Sequence, residues 1–498
     1  MQKRILCVFM ALIFVFGALV ARLGSIAVAP EYADASAEQA DYTVEIAATR
    51  GTIYDRYMRP LVNTVRRPIQ GASADLLKDY EAVTRISHEP IAVHVIGTLD
   101  SEGTGASGIE AAYDTFLTSC GGKLSVRYTL DAAGNALAGA LPEISDDNYD
   151  SGAGLVLTLD ADIQRIAEKA SQSIDRGAVV VMQPQTGDLL ALVSRPEFDP
   201  IDMAPSLNDE RSPFVNRAFS AYSVGSTFKT LVAAVALDNG FTSSHSFECA
   251  GSFETEGLEF GCHFLQGHGE LAMPRALEIS CNPYFISLAL SLGGEPIRTA
   301  AVKLGFGTAH EFAPGYRTYA GSLPSSERLS STAALANFGF GQGQLTATPI
   351  QLANLISAIA NGGGAVTPRL VLGTTSDGEV MSSQTMRYEA NEVFSAGSAS
   401  TVREMMISVV KNGSGKEAAP QKGGAGGKTA SAQTGQYDEN GAEIVHAWFA
   451  GFYPGNEPRY TIVVFVEGGD SGSEAACPVF KKIADGICEL EEKSRTFY

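Results

Sequence analysis

The chain has 498 residues, 45% of them hydrophobic, and a net charge of -20. That much apolar material can fill a large core spread over several domains, which excludes a small disulfide-stapled scaffold. The acidic balance and the lack of any Lys/Arg block exclude nucleic acid as a partner, because phosphate binding needs a basic surface.

Lys3 and Arg4 precede an apolar run from Ile5 to Ala21, and a second apolar stretch follows Arg22 as far as Ala29. The length predicts one transmembrane helix over 5–28, and the positive flank puts residues 1–4 in the cytoplasm and the remainder outside the cell membrane. A cleaved signal peptide is the rival reading, since Ala27-Val28-Ala29 resembles a cleavage site; the long apolar region and Pro30 weigh against it.

Residues 30–150 mix short apolar stretches with turns such as Gly103-Thr104-Gly105 and Gly121-Gly122, which predicts a smaller, mostly β module. A second domain is expected over 152–498. It opens with a strand over 155–159 and a helix from Asp160, its cap, to Ile174. Residues 177–182 and 189–193 read as a β-hairpin, and so do 448–453 and 460–466, separated by Pro454-Gly455-Asn456. Helical patterns lie between them, notably over 230–237 and 349–360. Strands at both ends and helices in the middle predict an α+β domain, an antiparallel sheet flanked by helices, with the two ends sharing the sheet. Gly423 to Gly427 is a glycine-rich loop but not a phosphate loop, since no Lys-Ser/Thr opens a helix after it.

Gly225-Ser226-Thr227-Phe228-Lys229 opens an apolar helix, with Ser226 in the first turn and Lys229 one turn later on the same face. A serine hydroxyl becomes a nucleophile when a base removes its proton, and a lysine in apolar surroundings has a lowered pKa that suits it to that task. The helix start adds free N–H groups where an oxyanion would form. Alone, the four-residue pattern is expected by chance about once in a chain of this size. Ser408-Val409-Val410-Lys411 matches it too, and reads as an ordinary helix face.

The ordered set is more specific. Ser280-Cys281-Asn282 begins 54 residues after Ser226, and Lys428-Thr429 begins 148 residues after Ser280. Three such clusters on one cleft make a proton relay: Ser280 passes protons between Lys229, Lys428 and a leaving amine, Asn282 holds an amide, and Lys428 supplies positive charge. The same trio is found in penicillin-binding proteins and class A β-lactamases.

From about residue 45 to 488 the chain resembles the class B penicillin-binding proteins. Arg50-Gly51-Thr52-Ile53-Tyr54-Asp55-Arg56 looks like their opening pedestal motif, continued by His94 to Gly97 and Gly108-Ile109-Glu110. Asn216-Arg217-Ala218, Gly341-Gln342-Gly343, Thr348-Pro349 with Gln351, and His446-Ala447-Trp448-Phe449 match further landmarks, most of which read as turns and core packing. The resemblance implies a penicillin-binding, serine transpeptidase fold and a peptidoglycan D,D-transpeptidase. Ser226 would attack the penultimate carbonyl of a stem peptide ending in D-Ala-D-Ala and release the terminal D-Ala. β-Lactams would acylate the same serine. It also implies an oxyanion hole of the Ser226 and Ser431 N–H groups, a carboxylate site at the Thr429 and Ser431 hydroxyls, and a peptide lying along the Lys428 strand. No cofactor is implied for catalysis. Two positions depart from the family pattern: Ala430 stands where glycine is usual, which would narrow the approach to the strand, and Val224 replaces a frequent proline.

Cys249, Cys262, His268 and Cys281 form a cluster ending in the second serine motif, with His263 a substitute ligand; His446 reads as a packed hairpin residue. The cluster resembles a structural zinc site of some elongation-type members, while a Cys249–Cys262 disulfide or plain buried thiols remain open. Other functions to weigh are a β-lactam sensor or non-catalytic scaffold, and a D,D-carboxypeptidase or β-lactamase. The module before residue 150 speaks against a β-lactamase, and the four residues before the span leave a receptor without an inner output domain. That module is also too short for a glycan polymerase, so the resemblance implies a multi-spanning polymerase partner.

Overall fold

The computed structural model describes residues 2–28, 41–71, 74–131, 134–137, 139–383 and 391–496. Ala29 and Pro30, which bear on a cleavage site, lie outside the described residues. Gln2–Val28 is one continuous helix, long and apolar enough to cross a membrane.

By its internal contacts the chain divides into two units, and a single cut near residue 150 does not describe them. The smaller comprises Met1–Arg50, Arg66–Val83 and Ser119–Ser151, whereas Gly51–Val65 and Thr84–Thr118 fold with Gly152–Tyr498 in the larger. In the smaller unit an antiparallel sheet joins Asp41–Ala48, Lys123–Thr129 and Glu143–Asp147 in that order. Leu124 and Val126 alternate with more exposed neighbours and, with Leu77 and Tyr149, form its core.

The larger unit explains why the opening motif belongs to it. Thr52–Tyr54 pairs in parallel with Gly154–Leu157, which pairs in turn with Val371–Thr375. Asp55, fully buried, accepts from the Tyr57 and Arg59 backbone N–H groups, and the Arg59 guanidinium binds Asp55, Asp160 and Asp162 together. Asp160 caps the following helix, Ala161–Ala170, by accepting from the Asp162 and Ile163 N–H groups; that helix ends short of Ile174.

The main sheet has five antiparallel strands in the order Gly426–Tyr437, Glu443–Tyr453, Tyr460–Val466, Gly177–Met182, Leu189–Arg195. Both ends of the domain do share it. Its inner strands are apolar at nearly every position because both faces are covered. Ala178, Val180, Trp448, Ala450, Val463 and Phe465 face the core of the central helices, which include Lys229–Asp238 and Pro349–Ala360. Val179, Val181, Phe449, Ile462 and Val464 face the other way, against Ala161–Ala170 and the C-terminal helix Cys477–Thr496. The Lys428 strand is left at the edge of the sheet.

Candidate active site

Ser226 lies in a short 3-10 turn, Gly225–Phe228, which leads into the helix Lys229–Asp238, rather than in the first α-turn. Two landmarks that read as plain packing brace this turn. Gly225 donates its N–H to Gly341 O at 3.0 Å, and the Trp448 indole donates to Ser223 O at 2.9 Å. Gly341 needs to be glycine twice over: its φ is +83°, and a Cβ there would stand 2.0 Å from Gly225 O.

The helix carries Lys229 into the interior, where it is fully buried. Its Nζ lies 2.8 Å from Ser280 O, 3.2 Å from Ser280 Oγ and 2.7 Å from Asn282 Oδ1. Ser280 sits between the helices Met273–Glu278 and Asn282–Leu292 with φ +59°, a left-handed conformation uncommon for a non-glycine residue. On its other side Lys428, also fully buried, donates to Ser280 Oγ at 3.0 Å and to Thr429 O at 2.8 Å.

Thus one hydroxyl bridges two buried lysines, and among the described residues neither lysine meets a carboxylate. Burial therefore decides their charge. It pulls Lys229 down to about 7 against the smaller opposing pull of Cys281 and Cys262. It pulls Lys428 well below the ordinary lysine range, and the nearby Lys229 charge adds to the shift. A neutral Lys229 donates its two N–H bonds to Ser280 O and Asn282 Oδ1 and keeps a lone pair. Ser226 Oγ, half-buried, has no hydrogen bond among the described residues and is free to turn toward that base.

Lys428, Thr429, Ala430 and Ser431 lie in sequence on the edge strand, with Ser431 exposed and Thr429 6% exposed. Ala430 is buried, 3% exposed. Its methyl is buried on the Lys428 face under the nucleophile turn, where a Cβ on Gly225 would come within 3.3 Å of it. Val224, the other departure, is a fully buried core residue.

The structure separates the two Ser-x-x-Lys segments. Ser408 is on the long helix Ala396–Asn412, where its hydroxyl donates to the Glu278 carboxylate and accepts from Asn412.

Cys249, Cys262, His268 and Cys281 do converge: their ligand atoms all lie within 4.8 Å of one another. Two small hairpins bring them together. Cys249 ends a strand that pairs with Gly269–Ala272, just after His268, and Cys262 follows the strand Leu258–Gly261. Cys281 is the residue before the helix Asn282–Leu292. All seven cysteines are free, so there is no Cys249–Cys262 disulfide. His268 Nδ1 is 3.5 Å from Cys262 Sγ, closer than the 3.9 Å of His263, and His263 is not among the four clustered ligands. The two neighbouring thiols act on each other: Cys281 pulls Cys262 down, and Cys262 pushes Cys281 up. His446 packs edge-on against Tyr222 and Phe465, as a hairpin residue should.

Residues 177–485 match the family model of the penicillin binding protein transpeptidase domain. Stage V sporulation protein D of Bacillus subtilis is 31% identical over 84% of this chain and 67% of its own length. Peptidoglycan D,D-transpeptidase PbpA of Mycolicibacterium smegmatis is 29% identical over 79% of this chain and 82% of its own. Among solved structures, penicillin binding protein 3 of Mycobacterium tuberculosis complexed with aztreonam superposes with a TM-score of 0.72 at 26% identity, covering 91% of this chain and 97% of that one. With the family match extending over most of the chain and the three polar clusters meeting at Ser280, this chain belongs to the class B penicillin-binding proteins.

Proposed function

We propose that the protein is a peptidoglycan D,D-transpeptidase, also acylated by β-lactams, with Ser226 as nucleophile. The observation that carries the reading is the pair of carboxylate-free, buried lysines joined through Ser280, with Ser226 on the turn beside them. Relatives named D,D-transpeptidases and a β-lactam complex of a similar structure support the reaction class.

Lys229 takes the Ser226 proton as Oγ attacks the penultimate D-Ala carbonyl of the donor stem. The Ser226 and Ser431 N–H groups face the resulting oxyanion. When the C–N bond breaks, the proton passes through the Ser280 hydroxyl to the departing D-Ala amine. An acceptor stem amine then attacks the acyl-enzyme and returns its proton by the same route, which restores Ser226. Asn282 holds the stem amide, and the strand face that bears Thr429 and Ser431 receives the terminal carboxylate. Mass spectrometry of the protein treated with a fluorescent penicillin tests the nucleophile: one adduct is expected in wild type and none in Ser226→Ala. An adduct that survives in Ser226→Ala would overturn the assignment.

The donor set fits a structural zinc. Three sulfurs and one imidazole nitrogen, mostly buried and already clustered, need only a small contraction to reach tetrahedral spacing. Cys249, Cys262, His268 and Cys281 would then fix the loop that carries Ser280 and Asn282. Elemental analysis of the purified chain should return one zinc per protein, lost in Cys262→Ser; wild type without metal would sink this reading. The helix Gln2–Val28 would anchor the chain as a single-pass membrane protein with its catalytic domain outside, Lys3 and Arg4 staying in the cytoplasm. A multi-spanning glycan polymerase is the partner this arrangement calls for. The larger unit, which takes in Gly51–Val65 and Thr84–Thr118, is the transpeptidase, and the smaller is the pedestal.

A further inference from the structure

Thr429, assigned above to the terminal carboxylate, is almost closed to solvent, being 6% exposed. Its hydroxyl is covered by another. Ser414 Oγ stands 2.6 Å from Thr429 Oγ1 and is half-buried, on the turn that follows the helix Ala396–Asn412.

Three contacts fix Ser414. Its N–H donates to Glu278 O at 3.1 Å, and its carbonyl accepts from Ser473 Oγ at 2.9 Å. The preceding Gly413 lies so close to Glu278 that a Cβ there would be 2.5 Å from the Glu278 carbonyl oxygen. Glu278 ends the helix two residues before Ser280, so Ser414 is held in register with the second serine motif.

A neutral Lys428 has two N–H bonds, and its shorter contacts, to Ser280 Oγ and Thr429 O, take up both. Either hydroxyl can donate across the 2.6 Å contact between Ser414 and Thr429; when Thr429 is the donor, the Ser414 proton is left for a third partner. Among the described residues the Ser414 hydroxyl has no other partner. We propose that Ser414 is a specificity-determining residue of the transpeptidase: it donates to the terminal carboxylate of the donor stem while accepting from Thr429. This rests on the transpeptidase reading above. Ser408, on the helix that precedes this turn, then serves the same register by fastening the Glu278 side chain.

The test uses the full-length chain in detergent and two thioester probes: benzoyl-D-alanyl thioglycolate, which carries a carboxylate on its leaving group, and its carboxamide analogue. The readout is the ratio of their acylation rate constants, which does not depend on how much of a variant is folded. Wild type should prefer the carboxylate. Ser414→Ala should lower the ratio ~10- to 100-fold, the effect of one hydrogen bond to a charged group, with the carboxamide rate nearly unchanged. Ser414→Thr, which keeps the hydroxyl, should keep the ratio. A ratio unchanged in Ser414→Ala, even with both rates reduced, overturns the role of Ser414 and leaves Ser226 as nucleophile. Wild type acylated by neither probe overturns both.

Discussion

Ser226-Thr227-Phe228-Lys229 and Ser408-Val409-Val410-Lys411 have the same spacing and both lie at or on a helix, yet they are chemically unlike. At the first, Lys229 is fully buried against two hydrogen-bond acceptors and a hydroxyl, and Ser226 is unpartnered among the described residues. At the second, Lys411 is exposed to water, and Ser408 is tied to a carboxylate. A base needs a lowered pKa, which burial supplies and exposure does not. Spacing is necessary for the Ser–Lys pair; the second and third motifs, closing over the first, turn it into a site.

The largest test of this contrast removes each lysine in turn. Lys229→Ala should slow acylation by penicillin by ~10^2 to 10^4, the usual worth of a positioned general base. Lys411→Ala should change it by no more than about twofold, as an exposed substitution should. Second-order rate constants from fluorescent penicillin labelling compare the two directly, and equal losses would mean that the contrast is false.

The pH dependence sharpens the comparison. Lys229 works as a base only when neutral, and burial sets its pKa to about 7. Acylation should therefore rise about tenfold per pH unit below that value and level off above it. A rate that falls across the same range would require a protonated Lys229 and a different base.

Much of this was legible in the sequence. Four of the five main strands follow from short apolar runs between turn residues, and Asp160 announced its helix by capping it; the Lys428 strand, Gly426–Tyr437, has no such run, takes in two residues of the stretch read as a glycine-rich loop, and came only from the family resemblance. The three motifs also named the side chains that now surround Ser280. What stayed hidden depends on distant contacts. That Thr52–Tyr54 joins Gly154–Leu157 is a parallel pairing between segments 100 residues apart, and nothing local in either segment shows it. The brace of Gly225 by Gly341 and the positive φ of Ser280 are likewise set by what surrounds them. Ser414 bears no motif, and only its 2.6 Å approach to Thr429 reveals it.

The smallest effect comes from Ser408→Ala, where two terms oppose. Loss of the bond to Glu278 removes roughly 1.5–3 kcal/mol, because the acceptor is charged. Alanine returns roughly 0.5 kcal/mol through its better helix propensity. The hydrogen bond wins, so the variant should melt at a slightly lower temperature than wild type. Glu278 keeps its ion pair with Arg275 at 2.9 Å, and the contact that holds Ser414 runs through the Glu278 backbone, which the substitution leaves in place. Penicillin acylation should accordingly stay within about twofold of wild type. Thermal melting and labelling of the same preparation separate the two roles: a lower melting temperature with labelling intact makes Ser408 a fastener, whereas lost labelling at an unchanged melting temperature would place it in the chemistry.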